Sequence, residues 1–196
     1  EMGQILTQIS IAGSPFKINK IINGKIISIK RDNPLDKLHF GKTAYLKIYD
    51  RQEIAAGKSR YQIAEQPHFK AKSALLNDRR GDFMLLINGM PVIHVELKRS
   101  GIDVSQACEQ IHKYSDEGVF TGLFSLVQIF VAMTPEDMVY FANPGRYGKF
   151  NPLYYFHWAD INNNPIKEWK KVCDSFLYIP MAHQLVGWYT VPDDTD

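Results

Sequence analysis

Three ionisable residues lie in or beside stretches of sequence that otherwise have the character of a protein core. Asp82 directly precedes the apolar run 83–87, and Glu96 and Lys98 stand at the end of the apolar run 92–97. A buried charge without a partner is costly, so each of these groups needs an opposite charge or a metal ion. Glu96 and Lys98 are two residues apart on a predicted strand and therefore point to the same face. A plain ion pair between them is the simplest alternative, but Asp82 adds a second carboxylate.

The length of the hairpin loop decides whether Asp82 can join the other two groups. Asn88-Gly89 between the two apolar runs strongly predicts a β-hairpin. With a two-residue turn, Asp82 would lie opposite residue 95 and on the other face from Glu96. With a three-residue loop ending at the glycine, it would lie opposite His94 and share the face of Glu96. Because a metal site requires the shared face, we predict the three-residue loop or an equivalent β-bulge.

Asp82, Glu96 and Lys98 on one face would suit the hydrolysis of a phosphodiester bond. Two carboxylates at one edge of a sheet can hold Mg²⁺, with Mn²⁺ as a possible substitute, and the backbone carbonyl of Leu97 offers a further oxygen ligand. A divalent ion in such a site polarises a phosphate and acidifies a water molecule. The ammonium group of Lys98 can orient that water and offset the charge of the transition state.

The rest of the sequence predicts the elements that must position these residues. Both strands of the hairpin are apolar on both faces, which predicts a central sheet covered on two sides. Asp103 can cap a following helix whose buried stripe comprises Val104, Ala107, Cys108, Ile111 and Tyr114. Further predicted elements are short strands and turns over residues 1–35, a helix over 45–56, a strand over 61–69, paired strands over 128–133 and 138–142, and a short helix over 166–176.

Asp82 followed by Glu96-Leu97-Lys98 resembles the motif of the PD-(D/E)XK nuclease superfamily, with Gly81 where the motif name has proline. On the next predicted helix, Gln110-x-x-x-Tyr114 is similar to the additional Q-x-x-x-Y motif of a subset of these nucleases. The surrounding sequence resembles the N-terminal nuclease domain of the type I restriction enzyme R (HsdR) subunit. The matching segments are 79–82, 87–91, 95–98 and 131–134.

This resemblance implies a fold, an activity and partners. The fold would be α/β, a restriction-endonuclease-like core with a central mixed β-sheet flanked by helices. That core would span residues 37–145, between an accessory segment 1–36 and a segment 146–196 that leads towards helicase-like motor domains. The activity would be Mg²⁺-dependent cleavage of double-stranded DNA, in a complex with modification and specificity subunits. ATP would serve only the motor domains, since the sequence holds no Gly-x-x-x-x-Gly-Lys-Ser/Thr loop.

The resemblance also extends the set of expected site residues. Gln110 and Tyr114 would support the active site, and Glu53 is our candidate for the acidic residue that relatives often carry on the helix before the hairpin, with Asp50 in reserve. An ordinary surface carboxylate is the alternative for both. Expected DNA contacts are Arg79, Arg80 and Lys113. His94 shares the predicted face, but a lone histidine in a strand is more often structural.

Composition sets broader limits on the class of protein. The net charge of +2 does not by itself identify a polyanion partner. The two cysteines are too far apart in sequence to suggest a disulfide framework, and the chain carries no signal-peptide pattern and no apolar run long enough to span a membrane. We therefore expect a cytoplasmic protein. Two alternatives to a restriction nuclease stay open: a repair or recombination nuclease of the exonuclease-V type, and a non-catalytic DNA-binding or assembly module.

Overall fold

The structure is a computed structural model that describes residues 1–22, 26–49 and 59–189. The helices in these ranges are α1 (Met2–Ala12), α2 (Pro15–Ile22), α3 (Ser105–Asp116), α4 (Trp169–Ser175) and α5 (Met181–Gln184). The strands are β1 (Ile26–Lys30), β2 (Thr43–Lys47), β3 (Tyr61–Glu65), β4 (His68–Phe69), β5 (Arg79–Arg80), β6 (Phe83–Ile87), β7 (Met90–Leu97), β8 (Ile129–Met133) and β9 (Met138–Ala142). Short 3₁₀ segments cover Gly122–Leu126 and Pro152–Tyr154, and a π-helical turn covers Leu185–Tyr189.

A mixed sheet forms the centre of the described part of the chain, in the strand order β3-β6-β7-β8-β9. Strands β7 and β8 are parallel and are joined through α3, whereas the other neighbours are antiparallel. A parallel pair needs a long crossover, and α3 supplies it. The predicted α/β fold with a central mixed sheet flanked by helices is confirmed, as is the pairing of the strands predicted at 128–133 and 138–142.

Alternation along the strands divides the core into two clusters, one on each face of the sheet. Met84, Phe130 and Ala132 face the α3 side, where they pack with the buried stripe of that helix. The strand residues that alternate with them point to the other face of the sheet and form the second cluster. They include Leu85, Ile93, Val95, Val131 and Met133. This second cluster takes residues from α1, α2, α4 and α5, so the sheet is covered on both faces as its apolar strands require.

Helix α3 confirms the buried stripe that its sequence predicts. Ala107, Cys108, Ile111 and Tyr114 are buried, and Val104 packs at the edge of the same cluster. The carboxylate of Asp103 accepts a hydrogen bond of 2.8 Å from the backbone N–H of Ser105, the first helical residue. This satisfies one of the amide groups that a helix N-terminus leaves without an intrahelical partner.

The prediction of short strands and turns over residues 1–35 is wrong for its first part, which forms α1 and α2. The isoleucines that suggested strands bury one side of each helix, as Ile5 and Ile9 do on α1. Two glutamines of α1 also bind the edge of β1: the side-chain amides of Gln4 and Gln8 donate to the carbonyls of Lys30 and Ser28. Tertiary packing thus outweighs the β-propensity of isoleucine here.

The prediction of a helix from residue 45 is also wrong where the structure describes the chain. Thr43–Lys47 forms β2, which pairs antiparallel with β1. Ala44 and Leu46 alternate with more exposed neighbours along β2, a period of two that competes with the helical spacing of the same apolar residues. Residues 50–56, the rest of the predicted helix, lie outside the described residues.

Candidate active site

The hairpin of β6 and β7 sets the geometry of the site. Asn88 and Gly89 both have positive φ angles, 53° and 80°, and form a two-residue turn that pairs Ile87 with Met90. The predicted three-residue loop is therefore wrong. The predicted alternative, a bulge, is present: the register shifts at Val92, and beyond it Phe83 lies opposite Val95. One residue further on, Asp82 lies opposite Glu96.

Asp82 and Glu96 consequently share one face at the end of β7. The Asp82 carboxylate accepts a hydrogen bond of 2.6 Å from the backbone N–H of Leu97. The backbone of Asp82 is fixed as well, since its carbonyl accepts from the N–H of Gln66 at 2.8 Å. These bonds hold the Asp82 carboxylate beside that of Glu96. Both donors are backbone N–H groups, of Leu97 and Gln66. The hairpin therefore brings together two of the three residues predicted to carry the chemistry.

Glu96 is 1 % exposed, which is unusual for a carboxylate. Burial and the nearby charge of Asp82 raise the pKa of Glu96 to about 8, although Lys98 acts in the opposite direction. The charge of Asp82 therefore disfavours ionisation of Glu96 in the chain alone. A divalent cation between them would remove that repulsion and the cost of the buried charge.

His94 supports Glu96 from the same strand. It is fully buried, and its Nε2 lies 3.2 Å from Oε2 of Glu96. Burial lowers the pKa of His94 to about 3, so the ring is neutral at physiological pH and this contact is a hydrogen bond rather than an ion pair. Toward an ionised Glu96, Nε2 carries the proton and donates it, which leaves the buried Nδ1 without a hydrogen-bond partner. His94 thus contacts the Glu96 carboxylate from a buried position, and its structural role stays a prediction.

Lys98 is connected to α3 through a chain of polar groups. Its Nζ donates to Oε1 of Gln110, and Nε2 of Gln110 donates to the Tyr114 hydroxyl at 2.7 Å. That hydroxyl in turn donates to the backbone carbonyl of Arg80 at 2.8 Å. The spacing of Gln110 and Tyr114 on one helix face makes the relay possible. It fixes the ammonium group beside the two carboxylates.

The donor set suits a hard divalent cation. Among the described residues, no group of three or more His, Cys, Asp and Glu side chains is placed to hold a metal ion. The available ligands are instead the carboxylates of Asp82 and Glu96 with the backbone carbonyl of Leu97. All are oxygen donors, and Mg²⁺ is commonly bound through one or two carboxylates while it keeps several waters. The residues present therefore fit the ion expected from the sequence.

A sequence model of the family "Type I restriction enzyme R protein N terminus" matches residues 17–149, more than half of the chain. The chain belongs to this family. Individual proteins that resemble the chain carry names of the same kind. The chain is 28% identical over its whole length to the type I restriction enzyme SauMSSORF170P endonuclease subunit of Staphylococcus aureus, and it spans 19% of that relative. It is 30% identical over 79% of its length to the EcoprrI endonuclease subunit of Escherichia coli and spans 48% of that relative.

Within this member of the R protein N terminus family, the residues expected to contact DNA differ in their surroundings. Arg79 is engaged by Glu117, with Nε–Oε2 and Nη2–Oε1 distances of 2.6 and 2.7 Å. Arg80 and Lys113 are exposed. Their contact with DNA stays a prediction, as does the role of Glu53, which lies with Asp50 outside the described residues.

Sequence reasoning missed one feature at the active-site end of the sheet. A cavity of about 250 Å³ adjoins Leu97 and Lys98, and Trp169 of α4 forms one of its walls. Trp169 lies far along the chain from the motif residues, so no spacing could connect it to them. In the aromatic run 154–158, Tyr155 packs against the sheet and stacks on Phe141 with ring centroids 4.1 Å apart, whereas Tyr154 and Phe156 are exposed.

Two further observations concern the chain as a whole. In the described ranges, the helices are all too short or too polar to reach across a bilayer. Cys108 and Cys173 are both free thiols, and Cys108 is buried. Burial raises the pKa of Cys108 to about 11, so this thiol has little thiolate character at neutral pH.

Proposed function

We propose that this chain is the nuclease domain of a type I restriction enzyme endonuclease subunit and that it hydrolyses phosphodiester bonds of double-stranded DNA with Mg²⁺, or with Mn²⁺ in its place. The observation that carries the proposal is the meeting of Asp82, Glu96 and Lys98 on one face at the end of a central strand. Membership of the R protein N terminus family supports the same activity, and so do the names of the relatives.

Each residue of the site has a distinct part in this proposal. Asp82, Glu96 and the Leu97 carbonyl would hold the ion, which when bound supplies a Lewis acid for the phosphate and a more acidic water. His94 donates to Glu96 and so keeps that carboxylate oriented. Lys98 presents its ammonium group, held by Gln110, to the phosphate oxygens and to the attacking water.

The partners and the location are also part of the proposal, and membership of the family supports them. A chain that spans a fifth of the S. aureus relative would work within a longer subunit. That subunit would assemble with modification and specificity subunits, and ATP would be used by motor domains outside this chain. The two free cysteines, whose pKa values are both raised by burial, suit a reducing cytoplasm.

Cleavage by the assembled enzyme tests the proposal. Asp82→Ala and Glu96→Ala should each abolish cutting of DNA, and Lys98→Ala should slow it by at least about 100-fold, the usual cost of removing one group that stabilises the transition state. Glu109→Ala is the matched control, because Glu109 is an exposed carboxylate on α3 next to Gln110. Wild-type cutting by Asp82→Ala with an intact fold would rule out this site and would favour a non-catalytic module.

A further inference from the structure

A small apolar cavity lies at the same end of the sheet as the proposed active site. Its walls come from the ends of β7 and β8 and the start of α4; the lining residues are Leu97, Lys98, Met133, Thr134, Pro135 and Trp169. Leu97 is the last residue of β7, and the side chain of Lys98, which follows it, reaches towards Gln110 on α3. The cavity and α3 therefore flank the proposed scissile position from the two faces of the sheet.

The backbone of Trp169 is anchored, although much of the residue faces solvent. Its backbone N–H donates to the carbonyl of Pro135 at 3.3 Å, which ties α4 to the turn after β8. The Glu168 carboxylate accepts from the N–H of Lys170 at 3.2 Å and caps the helix. The Trp169 residue is nevertheless 42% exposed, and Leu97 beside it is 38% exposed. An aromatic ring that is partly exposed beside an open cavity offers a surface for stacking.

A positive charge lies beside this apolar surface. The ammonium group of Lys170 lies 5.6 Å from the centroid of the Trp169 ring, and the stem of Lys98 forms part of the cavity wall. An aromatic platform beside cationic side chains is the arrangement with which proteins bind single-stranded nucleic acid: bases stack on the ring and phosphates meet the charges. Such a setting favours a nucleotide over an aliphatic side chain of a protein partner.

We propose that Trp169 stacks on a nucleobase adjacent to the scissile phosphate. The inference rests on the proposed function, because it takes Lys98 and the Leu97 carbonyl as the place of the reacting phosphate. A base inside a duplex is already stacked on both sides, and extruding it costs a few kcal/mol. The cavity therefore selects DNA in which the strand to be cut is locally unpaired.

Tryptophan fluorescence of this chain tests the proposal directly. In Ca²⁺, which takes oxygen ligands as Mg²⁺ does, a single-stranded oligonucleotide should quench the emission of wild type. Trp169→Phe should lose most of that quenching. The control Trp188→Phe, which changes an exposed tryptophan on the π-helical turn, should keep it. Quenching that persists in Trp169→Phe would overturn the proposal.

The affinity for DNA gives a second readout. Trp169→Ala should bind the single strand about 5- to 150-fold more weakly, the range expected for the loss of one stacked base, and Trp169→Phe should restore much of the affinity. The same sequence as a perfect duplex should bind wild type more weakly than a duplex with an unpaired base. Equal affinities of wild type and Trp169→Ala would contradict the proposal.

Metal titration separates this inference from the proposed function. Trp169→Ala should bind Mn²⁺ as wild type does, because no atom of its side chain belongs to the ligand set. If the proposed function is wrong, Glu96→Ala should cleave DNA as wild type does. That result does not depend on the effect of substituting Trp169. If Trp169→Ala keeps its DNA affinity and instead weakens assembly with the modification or specificity subunits, the cavity holds a protein side chain and the stacking proposal is wrong.

Discussion

A Cβ atom added to Gly81 would lie 2.6 Å from Cε1 of His94, closer than real Cβ atoms approach their neighbours. The two residues are linked through the site itself, since Gly81 precedes the first carboxylate and His94 contacts the second. The superfamily motif names a proline at this position. The structure gives a physical reason for the glycine: the buried imidazole fills the space that a larger residue would need.

Gly81→Ala should therefore destabilise the fold by about 1–3 kcal/mol, the usual cost of overpacking a core. His94→Ala removes the clashing ring, so the two substitutions together should cost less than the sum of their separate effects. Denaturant unfolding of the four proteins in this double-mutant cycle measures the difference. Gly3→Ala on α1, where the added Cβ meets nothing within 4 Å, is the control and should not destabilise. Additive effects at Gly81 and His94 would mean that the two residues do not compete for space.

The relay from Lys98 to Tyr114 predicts a loss of rate without a loss of metal. Tyr114→Phe keeps the buried ring but removes the hydroxyl that accepts from Gln110 and donates to Arg80. Lys98 would then lose its fixed position, and cleavage should slow by about 10- to 100-fold. Mn²⁺ affinity should stay as in wild type. Tyr147→Phe, at a residue that is 85% exposed, is the control for removal of a hydroxyl. If Tyr114→Phe cuts DNA at the wild-type rate, the hydrogen-bond chain from Lys98 to Tyr114 does not contribute to cleavage.

The ion pair of Arg79 and Glu117 predicts a dependence of stability on pH. The hydrogen bonds and charge of Arg79 hold the pKa of Glu117 below its ordinary value of 4.5. A carboxyl with a depressed pKa in the folded state stabilises the fold above its unfolded pKa, and this contribution is lost as the pH falls through the folded pKa. Below pH 4.5, the stability of Glu117→Gln should thus fall less steeply than that of wild type.

Thermal melting between pH 3 and 7 measures this difference. Asp116→Asn, which changes the exposed neighbouring carboxylate, should keep the acid dependence of wild type. Parallel curves of melting temperature against pH for wild type and Glu117→Gln would show that protonation of Glu117 does not change the stability of the fold.

Arg80 and Lys113 are exposed near the active site and should contact DNA phosphates. Substitution of either by alanine should weaken DNA binding similarly for all sequences and reduce the slope of log affinity against log salt by about 1. Lys17→Ala, on α2 at the opposite face of the sheet, should leave the slope unchanged. The comparison requires a salt series for each protein. Identical slopes for Arg80→Ala and wild type would exclude a phosphate contact at that residue.

The active-site hairpin could be predicted because chemistry and periodicity pointed to the same arrangement. Charged residues at the ends of apolar strands required partners, and a shared face for Asp82 and Glu96 required an irregular register. The form of the irregularity could not be read in advance. A two-residue turn with a bulge at Val92 and a three-residue loop both place Asp82 on the same face as Glu96. The local sequence does not distinguish between them.

Other parts depended on contacts between distant segments. The isoleucines of α1 have helical spacing, as Ile5 and Ile9 show, but their β-branched side chains favour strands in isolation. Only packing against the sheet and β1 decides between the two. Trp169 reaches the active-site end because the residues before α4 return the chain to the turn after β8, and no motif marks that return.

The central claim is that Asp82 and Glu96 hold one divalent ion, and calorimetric titration of Mn²⁺ into this chain tests it most directly. Wild type should bind one ion at the site. Asp82→Ala and Glu96→Ala should each weaken that binding by more than about 100-fold, beyond the cost of removing a residue that only supports a ligand. Glu109→Ala should bind as wild type does. Equal Mn²⁺ affinity in wild type and Glu96→Ala would contradict the account.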